Sequence, residues 1–397
     1  MVVARCPGED AAVQAPGTQR IAWLDVAKGA CIVLVVLHHV IGKYLPLLAV
    51  PALHPVADAW AGVSLALKPA RMPVFFVVSG FLAAGAIARP WPTVLRRVVS
   101  PYYLYLVWLG VYLLFYRWET RTPANRVQGV GDLLSDLVWA ETSMWFLFSL
   151  AAYFVLAKAL RRLDPRFVVG AATVVALGTG WSGIEANNKV AVLAHFCFFA
   201  LGAYFPALLA WAGNRSGRAL LGLAAAYTAG FVLLRASGLP WSVTLVACSA
   251  VGVPLGLGLA ARLAGVPGLG QGLAWLGQRT LRIYVLHFAV IGVLVALPLR
   301  LDGTGPAAML LAAAAPLLGT ALVIGACLAL HDAAVYLGGA ALFRLPRPVE
   351  RGLSAVERRF ARRVQGPWGT GQPGAPVAPS GAALAPVGAK VPSSASA

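Results

Sequence analysis

Charge is scarce in this sequence, and negative charge scarcest. Asp and Glu number 14 against 32 Lys and Arg in 397 residues, and the four charged types together make up only 12%. Hydrophobic residues make up 59%, and the mean hydropathy is +0.77. No soluble domain of this size needs so much apolar surface. The expected class is therefore all-α: a polytopic membrane bundle whose apolar runs of about 20 residues each cross a core roughly 30 Å thick. The net charge of +18 lies between the hydrophobic runs. There it sets orientation and meets anionic headgroups, so membrane lipid is an expected partner and nucleic acid is not. Cysteines are few and scattered (6, 31, 197, 248, 327) with no CxxC, which supports neither a disulfide framework nor a metal site. The first twenty residues lack the apolar core of a signal peptide, so the first span is expected to be its own insertion signal.

What the chain has in quantity is long apolar runs divided by turn residues. Ten spans are expected, near 21–42, 58–88, 95–117, 142–161, 166–184, 190–211, 218–236, 240–261, 280–298 and 306–340. RPWP (89–92), LDP (163–165), GNRSG (213–217), SGLP (237–240) and DGTGP (302–306) punctuate them. Pro73 is expected to break the second span locally. With the N-terminus inside, the inner segments hold twenty-two Lys and Arg and the outer segments nine, Lys68 and Arg71 among the outer set. That bias predicts cytoplasmic N- and C-termini in a plasma-membrane protein. The chain reads as a cytoplasmic segment (1–20), one membrane domain (21–343) and a tail (344–397). RGLSAVERRFARR (351–363) is expected to form a basic surface helix, and the Pro/Gly/Ala/Ser-rich stretch from about 364 to be disordered. No periodic repeat and no second soluble domain is evident.

Polar groups inside the spans carry the chemistry. WLDVAKGACIVLVVLHHV (23–40) places Asp25, Lys28, His38 and His39 in or beside an apolar run. At 100° per residue, Lys28 and His39 lie about 20° apart around the axis and roughly 16 Å apart along it. Asp25 falls one turn before Lys28, and His38 points elsewhere. A lipid-facing stripe of this kind is costly, so it should face the bundle interior or a wet cavity. Its bland alternative is a structural ion pair plus a histidine bonded to a carbonyl. In RMPVFFVVSGFL (71–82), Ser79-Gly80 offers a hydroxyl at a close-approach site, although small residues also simply let helices pack. Arg96 and Arg97, at the inner mouth of the third span, either anchor it or capture an anionic group such as a phosphate. In LGQRTLRIYVLH (276–287), Thr280, Tyr284 and His287 form a polar stripe. His195 and His331-Asp332 are weaker signals of the kind that packing histidines give.

In chain order these stretches resemble the integral-membrane acyltransferase 3 family. The matches are Asp25, Lys28, Gly29 and His39, then MPVFFVVSGFL (72–82), the basic segment ending at Pro101, SMWFLFSL (143–150), FFALGAYF (198–205) and LGQRTLRIYVLH. They cover about residues 20–340. The resemblance implies transfer of an acyl group, acetyl foremost, from acyl-CoA to a hydroxyl of an extracytoplasmic carbohydrate or glycolipid. The family's first-span histidine falls on His39 and its basic partner on Lys28. His38 stands where relatives often carry Gly. The family's paired R-x-x-R places its second Arg on Arg97 but its first on Val94, with Arg96 as the substitute.

The mechanism these residues suggest runs across the membrane plane. Acyl-CoA, a co-substrate and not a bound cofactor, meets Arg96 and Arg97 with its phosphates, and its thioester reaches His39. His39 takes the proton of the attacking hydroxyl, work suited to an imidazole with an ordinary pKa near 6.5. Lys28 and Asp25 hold the inner end, or Lys28 stabilises developing negative charge. Ser79, Tyr284 and His287 are expected as cavity-lining donors, and no metal is expected. The rival reading is a proton-coupled transporter using the same intramembrane residues, against which stands the lack of an inverted repeat. A scaffold that keeps the fold without catalysis is the third.

Overall fold

The computed structural model describes residues 22–48, 54–120, 129–140, 142–183, 188–297 and 305–365. The expected disordered tail and the N-terminal segment therefore lie outside, or almost entirely outside, the described residues. Every described element is helical, and each of the ten apolar stretches forms helix. In chain order they are α1 (Ala22–His39), α2 (His54–Ala88), α3 (Arg96–Trp118), α4 (Val130–Trp139), α5 (Trp145–Leu160), α6 (Pro165–Gly178), α7 (Asn188–Tyr204), α8 (Ala207–Gly213), α9 (Gly217–Ala236), α10 (Trp241–Leu263), α11 (Leu269–Gly277), α12 (Thr280–Ala296), α13 (Pro306–Tyr336) and α14 (Arg347–Gln365). Among the described residues six helices are long and apolar enough to cross a membrane, or up to eight when α7–α8 and α11–α12, bent by 89° and 81°, each count as one span. The expected ten is not reached on that criterion because α5 and α6, with 16 and 14 residues, are short.

The helices pack through two reciprocal glycine contacts. A Cβ on Gly80 of α2 would sit 2.0 Å from the Phe199 oxygen of α7, and one on Gly202 of α7 would sit 1.9 Å from the Val77 oxygen. Gly29 of α1 and Gly277 of α11 repeat the arrangement, at 1.9 Å from the Leu273 oxygen and 1.8 Å from the Asp25 oxygen. Apolar burial drives little association between helices in lipid, so such backbone-close crossings supply packing that larger residues would forbid. For Gly80 the structure thus bears out the bland reading, a small residue that lets two helices pack. By contrast α9 has Leu221, Val232 and Leu233 largely exposed, a face suited to lipid.

Two backbone details bear on the site. Pro73 does not break α2, which runs unbroken for 35 residues with Pro69 and Pro73 inside it. A proline in mid-helix deprives the carbonyl four residues earlier of its donor. Here that carbonyl belongs to Pro69, and the Ser249 hydroxyl of α10 lies 2.6 Å from it, its one proton shared between this oxygen and the Leu245 carbonyl at 2.5 Å. A neighbouring hydroxyl in this role is how membrane helices tolerate proline. The second detail is a π-helical turn, Val40–Tyr44, that continues α1 directly after His39. Such turns occur often at functional sites, because the inserted residue re-aims the side chains around it.

Candidate active site

Two cavities open along the same four helices. One, of about 480 Å³, is lined by His38 and His39 from α1, Lys68 and Arg71 from α2, Trp145 from α5, His195 from α7 and Tyr284 from α12. The other, of about 670 Å³, is lined by Ser79 from α2, Arg89 from the turn after it, Arg96 and Arg97 from α3, Leu150 from α5, Phe199 from α7 and Leu281 from α12. Arg71 and Ser79 are eight residues apart on α2, so the two cavities are offset by roughly 12 Å along it. Between them lies a buried aromatic layer. Phe146 packs on Phe75 and Phe76 with ring centroids 4.7 and 5.0 Å apart, and on Tyr284 at 5.3 Å.

His39 sits at the centre of the histidine cavity's ring system. Its centroid is 4.8 Å from His38, 5.3 Å from His287 and 4.4 Å from Phe288. His38 is committed, with Nδ1 hydrogen-bonded to Ser64 Oγ at 2.7 Å. His287 is fully buried and does not line the cavity; it reaches it through His39. Its Nδ1–H donates to the Tyr284 carbonyl at 2.6 Å, which leaves Nε2 as a lone pair with no partner among the described residues. The Tyr284 hydroxyl ties the loop before α5, donating to Ser143 O at 3.0 Å and accepting from Phe146 N–H at 3.2 Å. His195 is held by the Ala191 carbonyl at 2.7 Å and stacks between Phe76 and Trp145. It is both a packing histidine and part of the cavity wall.

The residues expected in one site are thus divided. His39 and Tyr284 share the histidine cavity. Ser79 faces the arginine cavity instead, and its hydroxyl donates to Phe75 O at 2.8 Å within its own helix. Asp25 and Lys28 form the expected pair, at 2.8 Å, but line neither cavity. They lie at the far end of α1, where the Asp25 backbone meets Gly277 of α11. The stripe was read correctly as interior; its two ends face different surroundings.

The sequence reading placed Lys68 and Arg71 in outer segments. Both also fall within the expected second span (58–88), and the structure places them inside α2, where they line the histidine cavity. The signal available was their position in an apolar run, since a cation at membrane depth marks function by default. Arg89 was likewise counted only for orientation, yet it joins Arg96 and Arg97 and gives the arginine cavity three guanidinium groups despite Val94 standing where the motif wants one. Helix α14 lies by this cavity: Glu357 lines it, and Arg96 pairs with Glu350.

A helical bundle with intramembrane histidines, beside a basic cavity at the opposite end of the same helices, defines an integral membrane protein with a built polar interior. The acyltransferase 3 family model, described as an acyltransferase domain, matches residues 21–331, and the chain belongs to that family. Among curated proteins, inner membrane protein YcfT of Escherichia coli (strain K12) is 30% identical over 211 residues, which are 48% of this chain and 58% of that protein. The chain therefore covers less than two thirds of that relative's length. No solved structure matches.

Proposed function

We propose that the protein is a membrane O-acyltransferase that moves an acyl group, acetyl foremost, from acyl-CoA to a hydroxyl of a carbohydrate or glycolipid. The observation that carries the reading is the pairing of a histidine cavity with a three-arginine cavity on the same helices. Arg89, Arg96 and Arg97 suit the phosphates of a CoA, because guanidinium forks bind phosphate oxygens two at a time. The thioester arm then passes the Phe75, Phe76 and Phe146 layer, whose rings move to admit it. In the histidine cavity the acceptor hydroxyl oxygen attacks the thioester carbonyl carbon while His39 takes its proton. The carbon–sulfur bond breaks, and the proton passes to the departing thiolate.

His39 is favoured over His38 because Ser64 already occupies a His38 nitrogen, whereas no hydrogen bond engages the His39 ring among the described residues. Asp25 and Lys28, paired within α1 at the end whose backbone packs on α11, act as a positioning pair and not as reacting groups. The excess of Lys and Arg on one side supports cytoplasmic termini, with the arginine cavity facing the cytoplasm and the histidine cavity facing out. Residues 21–343 act as one membrane domain in this reading.

The test is purified protein in lipid nanodiscs, radiolabelled acetyl-CoA and a cell-envelope carbohydrate extract. Label should move to envelope material with wild type and His38→Ala, and fall about 10²–10⁴-fold with His39→Ala. Equal transfer by His39→Ala would end the general-base assignment. Solute flux into sealed vesicles that needs no acyl-CoA would favour a transporter instead.

A further inference from the structure

The proposed acyl transfer leaves two cations in the histidine cavity without a task. Resting on the reading of that cavity as the acceptor site, we infer that Arg71 and Lys68 bind an anionic group on the acceptor, so that the acceptor is an anionic sugar, a uronic acid or a sugar phosphate, and not a neutral glycan.

Arg71 is 4% exposed in the middle of an apolar helix. A guanidinium carries five N–H donors, yet the hydrogen bond formed here is a single long one, 3.5 Å to the Leu34 carbonyl. Lys68 projects into the same cavity, with Nζ 5.2 Å from the Trp241 ring centroid. No Asp or Glu lines the cavity among the described residues, and neither cation forms an ion pair with one. Asp58 lines an adjoining space with Lys68 and His38 without pairing with the lysine. Buried cations are ordinarily paired or hydrogen-bonded, since desolvating them is costly. A cavity holding a buried arginine with one long hydrogen bond, a more exposed lysine beside it and no acid is built to be completed by an anion.

The rest of the wall fits a sugar ring. Trp145 and Trp241 line it with apolar rings, while the Thr179 and Ser242 hydroxyls, which donate to the Ala176 and Leu177 carbonyls, present oxygens that can accept. The anion is not that of CoA, whose phosphates have the three arginines at the other end of the bundle. A transient oxyanion needs stabilising only during reaction, and would give no binding when the acyl donor is absent.

That difference sets the experiment, run on the full chain in nanodiscs without acyl-CoA. Binding of trigalacturonate, glucose 1-phosphate and neutral maltotriose is measured by calorimetry. At least one anionic sugar should bind saturably and about tenfold or more tighter than maltotriose, weakening as salt rises. Arg71→Gln and Lys68→Gln should each loosen it by about tenfold or more, with Arg71→Lys losing less than Arg71→Gln. Preference for trigalacturonate assigns a carboxylate, and preference for glucose 1-phosphate a phosphate. Equal binding of maltotriose, no binding of either anionic sugar, or unchanged affinity in both Gln variants would overturn the inference. Should Arg71→Gln fail to fold, Lys68→Gln and Arg71→Lys still decide it. Because no acyl donor is present, loss of the acyl-transfer reading would show in the labelled-acetate assay while this binding stood.

Discussion

Two buried cations in this protein have opposite surroundings. Lys158 of α5 is fully buried, and its ammonium donates to the carbonyls of Ile87 at 3.0 Å, Ala86 at 3.5 Å and Arg89, with the Trp91 ring 5.0 Å away. The Ala86 carbonyl also accepts from Arg89 N–H at 3.2 Å, while those of Ile87 and Arg89 lie at the end of α2 and in the turn after it, so the charge sits where the helix dipole favours it. Arg71, in the middle of α2, is nearly as buried and has one long hydrogen bond. Burial is therefore no guide to role here. Satisfaction is: the lysine closes a helix and holds the turn carrying Arg89, while the arginine's bonding capacity is left for something that arrives.

The comparison breaks most visibly in stability. Lys158→Met should deprive the Ile87 and Arg89 carbonyls of this donor, leaving Ala86 O its bond from Arg89 N–H, and lower stability by about 3 kcal/mol, as expected for buried acceptors left without donors. It should appear as a markedly lower melting temperature in detergent. Arg71→Gln, which removes a charge with almost no protein partner, should shift the melting temperature of the ligand-free protein far less, or raise it. If the two variants melt alike, burial and not bonding governs both sites.

A smaller effect sharpens the division between the two cavities. Arg97→Gln should weaken acyl-CoA binding by about tenfold, the value of one charge-assisted contact near 1.4 kcal/mol, and leave binding of an anionic sugar unchanged. Equilibrium titration with a non-hydrolysable acyl-CoA analogue checks the first, and the calorimetric series checks the second. A parallel loss of both ligands would mean that the cavities are one site.

Much of this was legible from residues alone, and the exceptions have physical causes. Hydropathy and punctuation located a helix in each of the ten expected spans, because a backbone in lipid must satisfy its own hydrogen bonds and does so by helix, but missed α4 and α11, which lie between spans. The eleven-residue spacing correctly turned Lys28 and His39 inward. It did not reveal that the Asp25 end of α1 is closed by Gly277 while the His39 end opens into a cavity, since that depends on which helix crosses where. The π turn after His39 left no mark in the pattern either. Counting Lys68 and Arg71 for orientation alone did not reveal that α2 aims both into a cavity, which depends on how the neighbouring helices pack.

The smallest expected effect concerns α14, foreseen as a basic surface helix and found with an acidic purpose as well. Its Glu350 pairs with Arg96, and its Glu357 reaches the wall of the arginine cavity. Both partners of the Glu350–Arg96 pair are substantially exposed, so the bond is screened and contributes at most about 1 kcal/mol. A CoA phosphate that engages Arg96 must nevertheless displace this carboxylate first. Glu350→Gln should therefore tighten acyl-CoA binding by no more than a few-fold, most clearly at low salt where the lost ion pair is strongest. The same titration should show the advantage fading as ionic strength rises. A weakened affinity in Glu350→Gln would mean instead that the pair holds Arg96 in its binding pose.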